Sequence, residues 1–505
     1  MRYGFVIDHN RCIGCHACTV ACKEEHEVPL GVYRTWVKYI EKGVYPSARR
    51  HFGVLRCNHC DNAPCIEICP TVALYRRPDG IVDFDGERCI GCKSCMQACP
   101  YDALYIDPGS NTAAKCNFCA HRVEVGLEPA CVIVCPEQAI IAGDLDDPES
   151  KISGIVAREK TSVRKPEKGT RPKLFYAGIE PDLLRPANMA PQAGHLWADK
   201  SPGEDLYAVR RAGGREAGAA LEVYDVPHPR PWGKKIAAYL WTKSIGAGAL
   251  VVAALMSALQ VQDEHRLLHV ASPLLALVFT GLTVFLLVFD LKRPGRFYYL
   301  LTKPNPRSWL VLGGYILAAY GLFAFLWLAC GVSRNSPPPW IIWPGVFLAL
   351  GSAGYTAFLF KQAKGRDLWQ SVLFFWHLLV QAVVAGSAAL IPTGFLFGST
   401  LDALRVLEKI LDVSLVLSLA IMLAEIFIPH ASEDTRRATD LLKRGGLSRS
   451  FWSLAVVAGI VLPLILLWAS ADAPLVQASA SALALAGLWV FEDLWIKAGQ
   501  SVPLS

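Results

Sequence analysis

From about residue 236 onward the chain alternates apolar runs of about twenty residues with short charged or proline-rich intervals. Eight runs are long enough to cross a hydrocarbon layer of about 30 Å at a helical rise of about 1.5 Å per residue. They lie at about 236–259, 268–290, 310–330, 341–360, 372–394, 410–429, 451–470 and 476–496. So many runs in succession exclude a reading as buried helices of a soluble protein. Before residue 236 the apolar segments are short, and ALYRRPDGIVDFDGERC at 73–89 reads as strand, Pro-Asp-Gly turn, strand. The pattern predicts an α+β soluble half followed by an eight-helix membrane half.

A chain of 505 residues that is 53% hydrophobic exceeds one soluble domain, which agrees with two bodies. The net charge of +6 does not signal nucleic-acid binding, because Lys and Arg collect in the intervals flanking the apolar runs. Arg230, Lys234, Lys235, Lys292, Arg293, Arg296, Lys303, Arg307, Lys361, Lys364, Arg366, Arg436, Arg437, Lys443, Arg444, Arg449 and Lys497 fall on the side of the soluble half. Only Arg266, Arg334, Arg405 and Lys409 fall on the far side. The positive-inside rule therefore predicts a multi-pass protein of the cell inner membrane with its soluble half in the cytoplasm. The opening MRYGFVIDHNRCIGC shows no basic stretch, apolar core and cleavage site, so no export is expected.

Sixteen of the seventeen cysteines precede residue 136 and form four groups. These are Cys12, Cys15, Cys18, Cys22; Cys57, Cys60, Cys65, Cys69; Cys89, Cys92, Cys95, Cys99; and Cys116, Cys119, Cys131, Cys135. A disulfide framework suits small secreted domains, and structural zinc draws on two separated pairs rather than three cysteines within seven residues. The spacing C-x2-C-x2-C-x3-C followed by Pro is instead that of bacterial ferredoxins, in which three thiolates hold one cubane and the fourth reaches a neighbouring cluster. The third group matches it fully, with Pro100. The first carries Lys23 in the proline position, and the second and fourth stretch one gap while keeping Pro70 and Pro136. Four thiolates per cubane predict four 4Fe-4S clusters, a row suited to carrying electrons over a distance. Cys330, inside an apolar run, reads as a small core residue.

Haem b in the membrane half needs paired axial ligands at one depth. His269 and His377 are the candidates within the runs, and alternation puts them at opposite faces, so no haem is expected. Quinone or quinol, whether menaquinone or ubiquinone, remains the natural redox partner. Ionisable and phenolic groups at membrane depth are costly and mark function. Tyr239, Lys243, Asp290, Arg293, Tyr355 and His377 share one leaflet by this topology and form the candidate quinone site. Glu408, Asp412, Glu425, Glu492 and Asp493 are candidates for a proton path.

Through CIGCHACTVACK, CNHCDNAPCIEICP and RPDGIVDFDGERCIGCKSCMQACP, residues 1 to about 180 resemble the four-cluster iron-sulfur subunits of molybdopterin oxidoreductases. Dimethyl sulfoxide, polysulfide and thiosulfate reductases are of this kind. Residues 232–505 resemble the haem-free, polysulfide-reductase-type (NrfD-like) membrane subunit, through AYLWTKSIGAGAL, FDLKRPGRFYYLL, EIFIPHASEDTRRA and the Phe-Trp pair at 451–452. Two subunits that are separate elsewhere are fused here. The expected organisation is a double ferredoxin-like domain over 1–145, an extension and linker over 146–232, and the membrane domain over 233–505.

The resemblance implies a ligand exchange. Cys12, Cys15 and Cys18 would share a cluster with Cys135, and Cys116, Cys119 and Cys131 one with Cys22. Cys57, Cys60 and Cys65 would pair with Cys99, and Cys89, Cys92 and Cys95 with Cys69. The first cluster would face a molybdopterin catalytic subunit, and the one held by Cys89, Cys92 and Cys95 the membrane. Tyr355 falls where the family has a quinone-contacting tyrosine, whereas Tyr239 and Ile236 stand where polysulfide reductase has a histidine and an asparagine. The implied function is electron transfer between a separate catalytic chain and the quinone pool, with no primary-substrate site on this chain. A cytoplasm-facing sulfite dehydrogenase is the expected complex. Polysulfide or thiosulfate reductase, a formate dehydrogenase complex, or a proton-translocating redox module are the alternatives.

Overall fold

The computed structural model describes residues 1–505 apart from 44–45, 187–188, 190–219, 262–263, 430–431 and 470–472. Of the features singled out above, His430 and Ala431 in EIFIPHASEDTRRA and much of the 146–232 extension lie outside the described residues. The chain divides into two units, one of residues 1–231, 363–365 and 503–505, the other of residues 232–362 and 366–502.

The first unit is built on a four-stranded sheet in the order β8-β1-β10-β9, formed by β1 (Tyr3–Asp8), β8 (Ile140–Asp144), β9 (Thr161–Ser162) and β10 (Leu174–Ala177). Apolar residues run continuously through β1, and Phe5, Val6 and Ile7 are all buried, as a strand between two neighbours requires. It pairs antiparallel with β8 (Val6 opposite Ile141) and parallel with β10 (Val6 opposite Phe175). A second sheet joins β2 (Thr35–Lys42) to β3 (Arg49–Arg56) and β11 (Leu221–Tyr224). Residues 146–231, read from sequence as extension and linker, thus supply three strands to this unit.

Two hairpins complete it: β4 (Leu74–Arg76) with β5 (Val82–Phe84), and β6 (Leu104–Ile106) with β7 (Ala113–Lys115). The first is the strand, turn, strand expected at 73–89. Gly80 takes φ +79° in its turn, and the Ile81 amide donates to Asp79 Oδ1 at 3.0 Å.

Among the described residues of the second unit, eight helices are long and apolar enough to span a membrane. They are α1 (Lys234–Ala258), α2 (Leu267–Asp290), α3 (Trp309–Val332), α4 (Pro339–Gln362), α5 (Leu373–Phe397), α6 (Leu401–Phe427), α7 (Ser448–Ala469) and α8 (Pro474–Ser501). Large apolar side chains such as Phe325, Trp343, Phe347 and Trp468 point outward, as lipid contact demands. α1 is buried along most of its length and packs on α2, α4, α5 and α8. Glycines permit close crossings: a Cβ on Gly248 would strike the Ala382 carbonyl and lie 2.8 Å from the Gly386 amide nitrogen. Cys330 packs against the core around Trp327 and Ile341, the small core residue expected.

The sixth helix starts at Leu401 rather than near 410, because capping outweighs hydropathy there. The Ala403 amide donates to the Thr400 hydroxyl at 3.3 Å, and the Thr400 amide to Glu264 Oε1 at 2.6 Å. Arg405 and Lys409, counted above as far-side loop charges, therefore lie within the helix.

Candidate functional site

In the first unit the cysteines sit on tight loops that lead into one-turn or two-turn helices. Cys12 and Cys15 flank Gly14, and Cys89 and Cys92 flank Gly91; these glycines take φ +70° and +69°. Each loop then turns left-handed again at His16 (φ 61°) and Lys93 (φ 65°), just before the helices Ala17–Glu25 and Ser94–Ala98. Successive turns of this sort aim backbone N–H groups into an anion-binding concavity. The amides of Gly91 and Ala113 donate to Cys89 Sγ at 3.4 and 3.3 Å, and that of Ala139 to Cys135 Sγ at 3.2 Å.

The groups formed in space differ from those formed in sequence. Cys12 lies within electrostatic reach of Cys15 and Cys135, and Cys12, Cys15, Cys18 and Cys135 line one small cavity. Cys22 lies among Cys116, Cys119 and Cys131. Cys65 lies among Cys57, Cys60 and Cys99. Cys69, Cys89, Cys92 and Cys95 line a second small cavity. Between groups, Cys18 lies within electrostatic reach of Cys131, Cys116 of Cys57 and Cys65 of Cys95, an order that places the four quartets in series.

Burial pushes the Cys18 thiol up to about 11 and those of Cys92, Cys99 and Cys119 up to about 12. Such thiols become thiolates only against strong positive charge, which bound metal supplies. Among the described residues, no three His, Cys, Asp or Glu side chains gather closely enough to hold a single metal ion. Mononuclear zinc would draw four sulfurs to about 2.3 Å from one point. In a cubane each thiolate binds its own iron, and four converging thiols with backbone amides donating to Cys89 and Cys135 fit such a cluster.

In the second unit the structure brings three of the candidate residues together. Lys243, on α1, is 2% exposed, and its Nζ donates to the Ala353 carbonyl at 2.9 Å and to Thr356 Oγ1 at 2.5 Å, both on α4. The same ammonium stands 5.2 Å from the centre of the Tyr355 ring. Tyr239, one turn earlier on α1, is buried within electrostatic reach of Tyr355 and Glu492, with Thr356 beside its hydroxyl. Glu492 of α8 is also buried, and neither of its carboxyl oxygens is hydrogen-bonded. Unmatched polar atoms inside a membrane bundle are expensive, so the Glu492 carboxyl beside Lys243 and two tyrosines makes this cluster a candidate site for a polar-ended ligand.

His377 belongs to an adjoining arrangement. Fully buried on α5, it shares its Nδ1 proton with Glu425 Oε2 of α6 at 2.7 Å, and its Nε2 lies 3.2 Å from Gln381 Nε2. Rotation of the Gln381 amide exchanges donor for acceptor, so the same atoms accommodate a neutral or a doubly protonated imidazole. The ring rests on Phe491, centroids 4.9 Å apart, and Phe491 precedes Glu492. Asp290 ends α2 half-buried, in electrostatic reach of Tyr239, and Arg293 follows in the next turn. Sequence reasoning passed over Thr356 and Gln381, since a Thr or Gln in an apolar helix gives no signal until its neighbours are known.

Residues 223–503 match the family described as Polysulphide reductase, NrfD. The protein belongs to that family. Residues 49–145 match a 4Fe-4S dicluster domain, and residues 9–29 a 4Fe-4S binding domain. The sequence is 45% identical to a tetrathionate reductase subunit of Salmonella typhimurium over 202 residues, 39% of this chain and 80% of that protein. It is 45% identical to one polypeptide of the polysulfide reductase of Wolinella succinogenes over 179 residues, 34% of this chain and 93% of that one. It is 38% identical to a putative dimethyl sulfoxide reductase iron-sulfur subunit of Halobacterium salinarum over 262 residues, 45% of this chain and 95% of that one. These relatives cover the iron-sulfur part, so this NrfD-family protein is an electron-transfer iron-sulfur subunit fused to a multi-pass NrfD membrane subunit.

Proposed function

We propose that the chain carries electrons between a separate molybdopterin catalytic subunit and the quinone pool, in a cytoplasm-facing complex of the inner membrane akin to a sulfite dehydrogenase. The observation that carries this reading is the convergence of Lys243, Tyr239, Tyr355 and Glu492 inside the helix bundle of an NrfD-family chain that also carries the cysteine quartets, with both Glu492 carboxyl oxygens buried and unbonded. The excess of Lys and Arg on the side of the soluble half supports the cytoplasmic placement.

In this reading the quartets Cys12, Cys15, Cys18, Cys135; Cys22, Cys116, Cys119, Cys131; Cys57, Cys60, Cys65, Cys99; and Cys69, Cys89, Cys92, Cys95 each hold one cubane, and no haem is needed. Bound clusters supply one-electron steps. The protein positions their thiolates and donates amide hydrogen bonds to the sulfurs. Lys243 and Tyr355 hold the quinone head group, Lys243 by a charge-assisted hydrogen bond to one ring oxygen. Reduction of a quinone consumes two electrons and two protons. Glu492 transfers the two protons to the ring oxygens in turn, and the His377–Glu425 pair, with Asp290 and Arg293 at the rim, reprotonates it after each transfer. Iron near sixteen atoms per chain, together with molybdenum or tungsten on a copurifying polypeptide, is the expected composition of the intact complex. Zinc in place of iron would refute the reading.

The relatives' names favour a second reading on direction: the named proteins are tetrathionate, polysulfide and thiosulfate reductase subunits, in which quinol would feed the clusters. Identity of the copurifying catalytic chain separates the two. The buried His377–Glu425 pair also supports a proton-translocating variant, for which Glu425→Gln should abolish net proton uptake by sealed vesicles while electron transfer continues.

A further inference from the structure

The last residue of β3, Arg56, is 1% exposed and lies among cysteines rather than carboxylates. Its Nη1 donates to Cys131 Sγ at 2.9 Å, while Nε and Nη2 are buried with no hydrogen-bond partner. The guanidinium stacks 4.8 Å from the centre of the Phe5 ring, which fixes its plane but offers no acceptor for those two donors. Cys131, Cys116 and Cys18 lie within its electrostatic reach, and so does Cys22. It therefore stands at the junction of the quartet of Cys12, Cys15, Cys18 and Cys135 with that of Cys22, Cys116, Cys119 and Cys131.

Lys115 provides a contrast within the same unit. It is equally buried, yet its ammonium donates to the carbonyl oxygens of Val82 and Cys116, so backbone groups satisfy it. A buried guanidinium with open donors and no counter-ion is costly. Negative centres held by the surrounding thiolates remove that cost.

We propose that Arg56 sets the reduction potentials of the two redox centres it adjoins, raising both by placing a fixed charge and two N–H donors against them. The proposal rests on the assignment of cubanes to the quartets made above. Reduction adds negative charge to a cluster, and a nearby cation with hydrogen bonds to sulfur favours the reduced form. Arg56 acts as a positioning residue for charge and touches no substrate.

The test is a redox titration of the purified full-length chain, followed by electron paramagnetic resonance, for the parent, Arg56→Gln and Arg56→Lys. In Arg56→Gln two of the four cluster signals should show a tenfold lower ratio of reduced to oxidised form at fixed potential, a downward shift of about 59 mV for a one-electron couple. The other two should not move, and Arg56→Lys should retain most of the parental values. Unchanged potentials, or an equal shift of all four, would overturn the proposal. Iron content is measured first: a parent chain without cubanes refutes the assignment beneath it, whereas a loaded chain with unshifted potentials refutes Arg56 alone. If Arg56→Gln fails to load iron, the parent chain labelled with guanidinium-¹⁵N arginine decides the matter. A nitrogen coupling to a reduced cluster, lost in Arg56→Lys, is expected, and its absence contradicts the proposal.

Discussion

The cluster-bearing unit packs its chemistry into short stretches of chain, with three cysteines within seven residues and left-handed turns at Gly14 and Gly91 that wrap the backbone around them. The membrane unit contributes one or two polar side chains per helix, Lys243 from α1, Tyr355 and Thr356 from α4, His377 from α5, Glu425 from α6 and Glu492 from α8, which meet only when the helices pack. The first kind of site depends on local backbone geometry and tolerates loops inserted between its ligands, as the long gap from Cys119 to Cys131 shows. The second depends on close helix crossings, such as that of Gly248 with Gly386, and tolerates almost any apolar sequence between the polar positions.

The largest effect is expected from the cysteines. Cys69→Ser and Cys95→Ser should each remove about four irons per chain and abolish turnover, with the same spectral component lost from both. Cys65→Ser should remove a different component, although Cys65 neighbours Cys69 in sequence. If Cys65→Ser and Cys69→Ser give the same loss, the crossed grouping is wrong.

A smaller effect, confined to the membrane unit, is expected from the pocket. Lys243→Met should lower quinone-linked turnover about 10²- to 10⁴-fold while a soluble dye still reduces the clusters at the parental rate. Tyr355→Phe should cost about tenfold by losing one hydrogen bond of about 1.4 kcal/mol. Tyr320→Phe, whose hydroxyl donates to the Gly246 carbonyl at 2.5 Å, should leave the quinone rate unaltered. A Lys243→Met chain with parental quinone kinetics would move the site elsewhere.

Packing comes next. Gly248→Ala should destabilise the bundle by about 1–3 kcal/mol, read as a lower melting temperature with intact cluster spectra. Equal loss of iron would show that the two units do not differ in the way described.

The smallest effect concerns His228, which lies 2.6 Å from Asp102 Oδ2 and 3.3 Å from Asp225 Oδ2. Burial alone would lower its pKa, but these two carboxylates outweigh it and raise the value to about 10. The folded protein thus holds this proton more tightly than the unfolded chain, whose histidine titrates near 6.5. The stabilisation is complete below about pH 6.5 and is lost as the pH rises through about 10. The melting temperatures of the parent and His228→Ala should differ most at low pH and converge at about pH 10; a gap that widens with pH would contradict this.

The membrane helices were legible because twenty consecutive apolar residues leave few alternatives, and hydropathy erred only where a capped helix runs on through charges, at Leu401. The cysteine groups were legible from spacing. Their regrouping in space was not legible from spacing, since nothing in C-x2-C-x2-C-x3-C says which distant quartet the last thiol joins; it came only as what the family resemblance implies. Tyr239, Lys243 and Tyr355 stood out because polar groups at membrane depth are costly. Thr356 and Gln381 did not, being ordinary residues given meaning by the partners that packing brings. Arg56 was silent for the same reason, as an arginine at the end of a strand usually faces water.

The most direct test of the central claim is anaerobic mixing of quinol with the purified full-length chain, following cluster reduction by electron paramagnetic resonance. The account expects cubane signals to appear in the parent and to be lost or slowed at least about tenfold in Lys243→Met, with dithionite reducing both equally. Cluster reduction by quinol at the same rate in both chains, or no cubane signal with either reductant, would contradict it.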